Sequence, residues 1–135
     1  MSKIFPIVLP ALALMTQGCA HTTYDVRALG ALAQVEASKP YADTTSCLMR
    51  EIDGKVNRLV RGAPIDHTLQ IHEEGGYAEI VAPPFYYVVS IHSKGEDRSL
   101  VKIYVSDDMI FRSKIADHLK RAAENCNAMV DRRKP

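Results

Sequence analysis

The chain has 135 residues, enough for one small domain, with 17 Lys plus Arg set against 16 Asp plus Glu. A formal charge of +1 gives no electrostatic reason to expect nucleic acid or an acidic surface as a partner. Three cysteines, an odd number, allow one internal disulfide and leave one sulfur over.

The N-terminus explains the odd sulfur. Met1-Ser2-Lys3 is followed by "IFPIVLPALALM", residues 4–15, without a charge. A basic start, a short apolar run and a small-residue exit form the pattern of a secretory signal peptide. A membrane-spanning helix needs about 20 apolar residues, and Pro6 and Pro10 interrupt this run. The exit, "TQGC" at 16–19, resembles the lipobox of bacterial lipoproteins, in which the cysteine receives a diacylglycerol and the peptide is cut in front of it. Gly18 and Cys19 match; Thr16 stands where the family usually has Leu, with Leu14 two places earlier. The resemblance covers residues 1–20.

It implies removal of residues 1–18 and lipidation of Cys19, with an added N-acyl chain such as palmitate. Each buried methylene contributes about 0.8 kcal/mol, and several chains hold firmly where one does not. Ala20 stands where Asp commonly marks retention at the inner membrane, which implies the periplasmic face of the outer membrane. The other reading is an ordinary secretory cut near "GCA", leaving Cys19 as a thiol. Taking 18 residues from 135 leaves 117 and loses only Lys3 among the charges. With Cys19 acylated, Cys47 and Cys126 remain to pair in an oxidising periplasm.

Residues 19–42, Ala-rich and closed by "SKP", read as a flexible or weakly helical tether. The folded domain is expected over 43–127, with a solvated basic tail at 128–135. Its first helix is expected after the N-cap candidates Asp43, Thr44 and Thr45, with Leu48, Ile52, Val56 and Leu59 on one face. Two period-two segments follow, "HTLQIH" and "YAEIVA", separated by a solvated "EEGG" turn and closed by "PP" at 83–84. "FYYVVSIH" and "SLVKIYVS" are rich in β-branched and aromatic residues and predict a hairpin around "SKGEDR". Within it, Tyr87, Val89, Ile91, Val101, Ile103 and Val105 form the expected core face. A closing helix carries the stripe Phe111, Ile115, Leu119, Ala122 and Cys126.

The fold class that follows is α+β: a two-layer domain with an antiparallel three- to four-stranded sheet. An N-terminal and a C-terminal helix lie on one face, linked by a Cys47–Cys126 disulfide. Domains of this size benefit from such a staple.

No chemistry announces itself. There is no G-x-S-x-G, no Gly-rich phosphate loop, and no cysteine left for a Cys-His pair. Glu73 and Glu74 are adjacent, and on a strand they would face opposite sides. His67, His72, His92 and His118 lack metal-site spacing, so no catalytic residue, metal or cofactor is assigned. His72 and His92 are expected to point outward as possible cross-strand neighbours. The outward face carries Tyr86, Val88, Leu100, Lys102 and Tyr104, more apolar than a fully wet sheet face. These five residues are the tentative site for another envelope protein, a second copy or an added peptide strand. Scattered surface hydrophobics, or cover by the tether, is the alternative. The expected function is a non-enzymatic binding or accessory module of the envelope. The alternative is an inhibitor or immunity protein against an exported hydrolase, presenting the loop "HSKGEDR".

Overall fold

The computed structural model describes residues 23–53, 67–82, 87–107 and 112–128. Five strands run in chain order: β1 (Ala33–Ala37), β2 (Thr68–His72), β3 (Tyr77–Ala82), β4 (Tyr87–Ser93) and β5 (Ser99–Val105). They form one antiparallel sheet in the order β1-β5-β4-β3-β2. The helices are α1 (Thr23–Ala28), α2 (Tyr41–Glu51) and α3 (Arg112–Ala128). α2 packs on β3, β4 and β5, α3 packs on β1 and β5, and the two helices touch each other.

Alternation sorts the strands cleanly. Tyr87, Val89 and Ile91 of β4 and Val101, Ile103 and Val105 of β5 all point into the core beneath α2 and α3. Leu48 and Ile52 of α2 meet them, as do Ile115, Leu119, Ala122 and Cys126 of α3. The expected core face is therefore the observed one, and the helical stripes behave as their spacing requires. Val56, Leu59 and Phe111 lie outside the described residues, as do the signal peptide, Cys19, "PP" and all but Ala128 of the tail.

The segment expected as a tether instead supplies α1 and a fifth strand. "AQVEA", 33–37, alternates small or branched apolar residues with polar ones, and pairs antiparallel with β5 from Ala33↔Ile103 to Ala37↔Ser99. Its inward residues are one Val and two Ala, short enough for α3 to lie close above them. The Asn127 side chain accepts a hydrogen bond from the Ser38 N–H at 3.0 Å and ties the strand's exit to the end of α3.

α2 also starts earlier than its cap candidates. Pro40 holds the N-cap position, and the Thr44 N–H already donates to the Pro40 carbonyl at 3.1 Å. Thr44 and Thr45 are buried within the first turns. Thr44 Oγ1 shares a 2.9 Å hydrogen bond with Ser99 Oγ, and Thr45 Oγ1 donates to the Tyr41 carbonyl at 2.6 Å. Tertiary contact with β5 has turned a capping residue into a core residue.

Cys47 and Cys126 form a disulfide with Cα atoms 5.8 Å apart, joining α2 to the last turns of α3. It closes a loop with a sequence separation of 79. Constraining the unfolded chain to that extent is worth about 4.5 kcal/mol in the chain-entropy description, comparable with the whole stability of a small domain. Reduction, or the Cys47→Ala/Cys126→Ala pair, is expected to remove most of the stability. Thermal unfolding followed by circular dichroism, with and without reductant, measures it.

Candidate functional site

The face of the sheet turned away from α2 and α3, where the apolar patch is expected, is partly covered by α1. Val26, the one buried residue of α1, inserts into an apolar cluster with Val81 and Val88, and Tyr104 packs against its edge. Val88 is thus fully buried and cannot meet a partner directly. Leu100, Lys102 and Tyr104 are half-buried, and Tyr86 lies outside the described residues. Residues 23–28 thus form a helix that folds back over Val88 and borders Tyr104.

One row below Val81 and Val88, the register brings Gln70, Glu79, Ser90, Lys102 and Gln34 side by side across all five strands. Glu79 is only 4% exposed in its side chain and is met by Arg27 of α1, Nη1 to Oε1 at 2.6 Å. Arg27 is itself aimed by Thr23, whose carbonyl accepts from Nε at 3.2 Å and whose Oγ1 accepts from Nη2 at 3.3 Å. An ionised carboxylate in such a site is tolerable only with a charged, hydrogen-bonded partner. The pair therefore latches α1 to β3.

The next row is aromatic. Tyr77 on β3 sits between His72 on β2 and His92 on β4, with ring centroids 4.4 and 5.4 Å away and planes within 19°. The two histidines expected as cross-strand neighbours share this outer face with the tyrosine ring between them. Burial holds His92 below the usual imidazole range, with Lys102 adding to the effect and Glu79 opposing it. Its neutral ring suits a stack. Glu73–Gly75 forms a single 3-10 turn, solvent-exposed as expected of "EEGG". Gly75 is required there, because a Cβ would stand 2.7 Å from the Tyr77 ring.

On the helix-covered face, a second polar group lies at the other end of the sheet. His67 Nε2 is 3.1 Å from Asp53 Oδ1, just beyond α2. The Tyr87 hydroxyl and His67 Nδ1 are buried without hydrogen-bond partners. Burial and the nearby Asp53 carboxylate push the Tyr87 phenol up to about 12. Among the described residues, no group of three or more His, Cys, Asp or Glu side chains is placed to hold a metal ion.

The last feature is the sheet edge. β2 pairs with β3 on one side, and all five of its residues are exposed. Leu69 and Ile71 stand opposite Ile80 and Ala78, on the helix-covered side of the sheet, yet neither is covered. Period two correctly put them on one face; the missing piece was that β2 is an edge. Arg27, Glu79 and Tyr77 were not singled out from the sequence. Glu79 is the lone acid in an apolar strand, a local signal, but nothing local pairs it with a residue 52 positions away.

Compared with known proteins, the chain matches no family model and no curated protein.

Two outcomes follow from these contacts. Arg27→Ala leaves Glu79 buried without its counter-charge and is expected to cost about 2 kcal/mol. That is below the range for a fully buried pair because Arg27 is 38% exposed. Adding Glu79→Gln should recover most of the loss in urea unfolding. The Tyr87 phenol, raised from 10.0 to about 12, gives stability that is whole below pH 10 and falls as pH rises towards 12. The loss reaches about 2 kcal/mol there. Tyr87→Phe is expected to be neutral or slightly stabilising at pH 7 and to remove that alkaline loss, read from unfolding curves between pH 9 and about 12.

Proposed function

We propose that this chain is an outer-membrane lipoprotein, anchored through Cys19 on the periplasmic side. Its disulfide-stapled domain acts as a non-enzymatic binding module for another envelope protein. The observation that carries the binding role is the edge of β2, which among the described residues pairs with β3 alone. Exposed sheet edges are normally blunted by charge, proline, bulges or cover. "TLQIH" has no proline and no Lys, Arg, Asp or Glu, and it exposes Leu69 (39%) and Ile71 (56%). Such an edge is suited to an extended segment of a partner, which would gain main-chain hydrogen bonds along β2 and apolar contact with those two side chains. On the outer face α1 covers Val88, while Leu100, Lys102 and Tyr104 stay half-buried beside it.

Two supports stand behind the anchor. The N-terminal pattern of Lys3, an apolar run and Gly18-Cys19 fits a lipoprotein, and the disulfide uses the two sulfurs that acylation leaves. The inhibitor reading rests on the loop Lys94–Arg98. This loop is fully exposed and internally tied by the Lys94 N–H to the Arg98 carbonyl (2.9 Å) and the Ser93 hydroxyl to the Gly95 carbonyl (3.1 Å).

The two readings separate by position. A photoreactive residue at Gln70 is expected to capture a partner in intact cells, and Leu69→Lys/Ile71→Lys to abolish the capture. Capture at Glu96 alone, with a hydrolase as the product, would favour the inhibitor. Mass spectrometry of the mature protein should show acyl mass at Cys19, and Cys19→Ala should move the protein to the soluble fraction.

A further inference from the structure

We infer that the stretch from Tyr24 to Leu32 rests on the lipid surface, so that the face of the sheet carrying α1 is turned towards the membrane and the α2/α3 face, with Leu69 and Ile71, away from it. The inference rests on acylation of Cys19 and adds to it a defined protein–lipid contact.

Large exposed hydrophobic side chains among the described residues are Tyr24 (75%), Leu29 (45%), Leu32 (42%), Leu69 and Ile71. Two belong to the open edge already discussed. The other three fall within nine consecutive residues, immediately after the proposed anchor. Cys19 precedes Thr23 by four residues, and four extended residues reach about 14 Å at most. Thr23 opens α1, which is fixed to the sheet by Val26 and by Arg27–Glu79. A lipid on Cys19 therefore holds α1 within a short reach of the bilayer, and the exposed side chains nearest to it meet the interface.

Their chemistry suits that place. Tyrosine settles at headgroup depth, where its ring is dry and its hydroxyl is hydrogen-bonded. Leucines next to it add apolar area to the anchor. Leu69 and Ile71 stand opposite Ile80 and Ala78 on the other face of the sheet, the side of α2 and α3, which keeps them clear of the headgroups.

The absence of tryptophan makes the test clean. Tyr24→Trp and Ile71→Trp each place a single fluorophore at an exposed site, without touching the core. The full-length mature protein is reconstituted into vesicles of phosphatidylethanolamine and phosphatidylglycerol, with and without brominated acyl chains. Acyl mass at Cys19 is checked first. With Cys19 acylated, Tyr24→Trp is expected to emit at shorter wavelength and to be quenched by the bromolipid, while Ile71→Trp keeps water-like emission and is not quenched. Acylated protein in which neither site, both sites or only Ile71→Trp is quenched overturns the inference and leaves the anchor standing. Unacylated protein overturns both.

Discussion

Glu79 is an ionisable side chain with almost no access to water, and it is met at 2.6 Å by Arg27 on a helix of six residues. Taken from water alone, a carboxylate costs several kcal/mol, so the sheet face and α1 are committed to each other. That commitment gives α1 its importance. A six-residue helix has too few hydrogen bonds to stand by itself, yet it carries the one Val that seals Val81 and Val88. It also leads directly into β1, which completes the sheet beside β5. Detaching α1 would expose an apolar cluster and leave a buried charge unmatched.

The consequence is that the N-terminal segment acts as part of the body of the domain. In the proposed lipoprotein, a mobile tether would let the domain tumble at the end of its lipid. A docked α1 would give it one side towards the bilayer and one away. The disulfide works at the other level of the structure. By joining α2 to α3, it keeps the opposite face of the sheet covered in a domain whose core is too small to be secure on burial alone. The two faces of the sheet are therefore held by different means: the Arg27–Glu79 pair fixes α1 over part of one, the disulfide joins the two helices on the other, and β2 stays exposed at the edge.

Much of this architecture is legible in the sequence because it rests on local periodicity. Alternation in β4 and β5 identifies the six inward apolar residues, and the spacing of Ile115, Leu119, Ala122 and Cys126 identifies the buried face of α3. The pairing of Cys47 with Cys126 follows from setting Cys19 aside for lipid. The failures have a common cause. "AQVEA" alternates, but alanine is small and favours helix, so β5's need for a neighbour outweighed local propensity. Thr44 has the chemistry of a cap and is used inside the helix because Ser99 lies across from it. The Arg27–Glu79 contact and the His72–Tyr77–His92 stack depend on which strands become neighbours, and strand order is not written in any single segment. The burial of Val88 on the outer face was hidden for the same reason: its cover came from a segment read as a tether.

The most direct test of the coupling between anchor and sheet is amide hydrogen exchange on the mature, membrane-bound protein, resolved by segment. Slow exchange for those amides of 23–37 that are hydrogen-bonded within α1 or to β5, approaching that of β4 and β5, is the result this account requires. Exchange of that whole segment at the rate of an unstructured chain, while β4 and β5 stay protected, would contradict it.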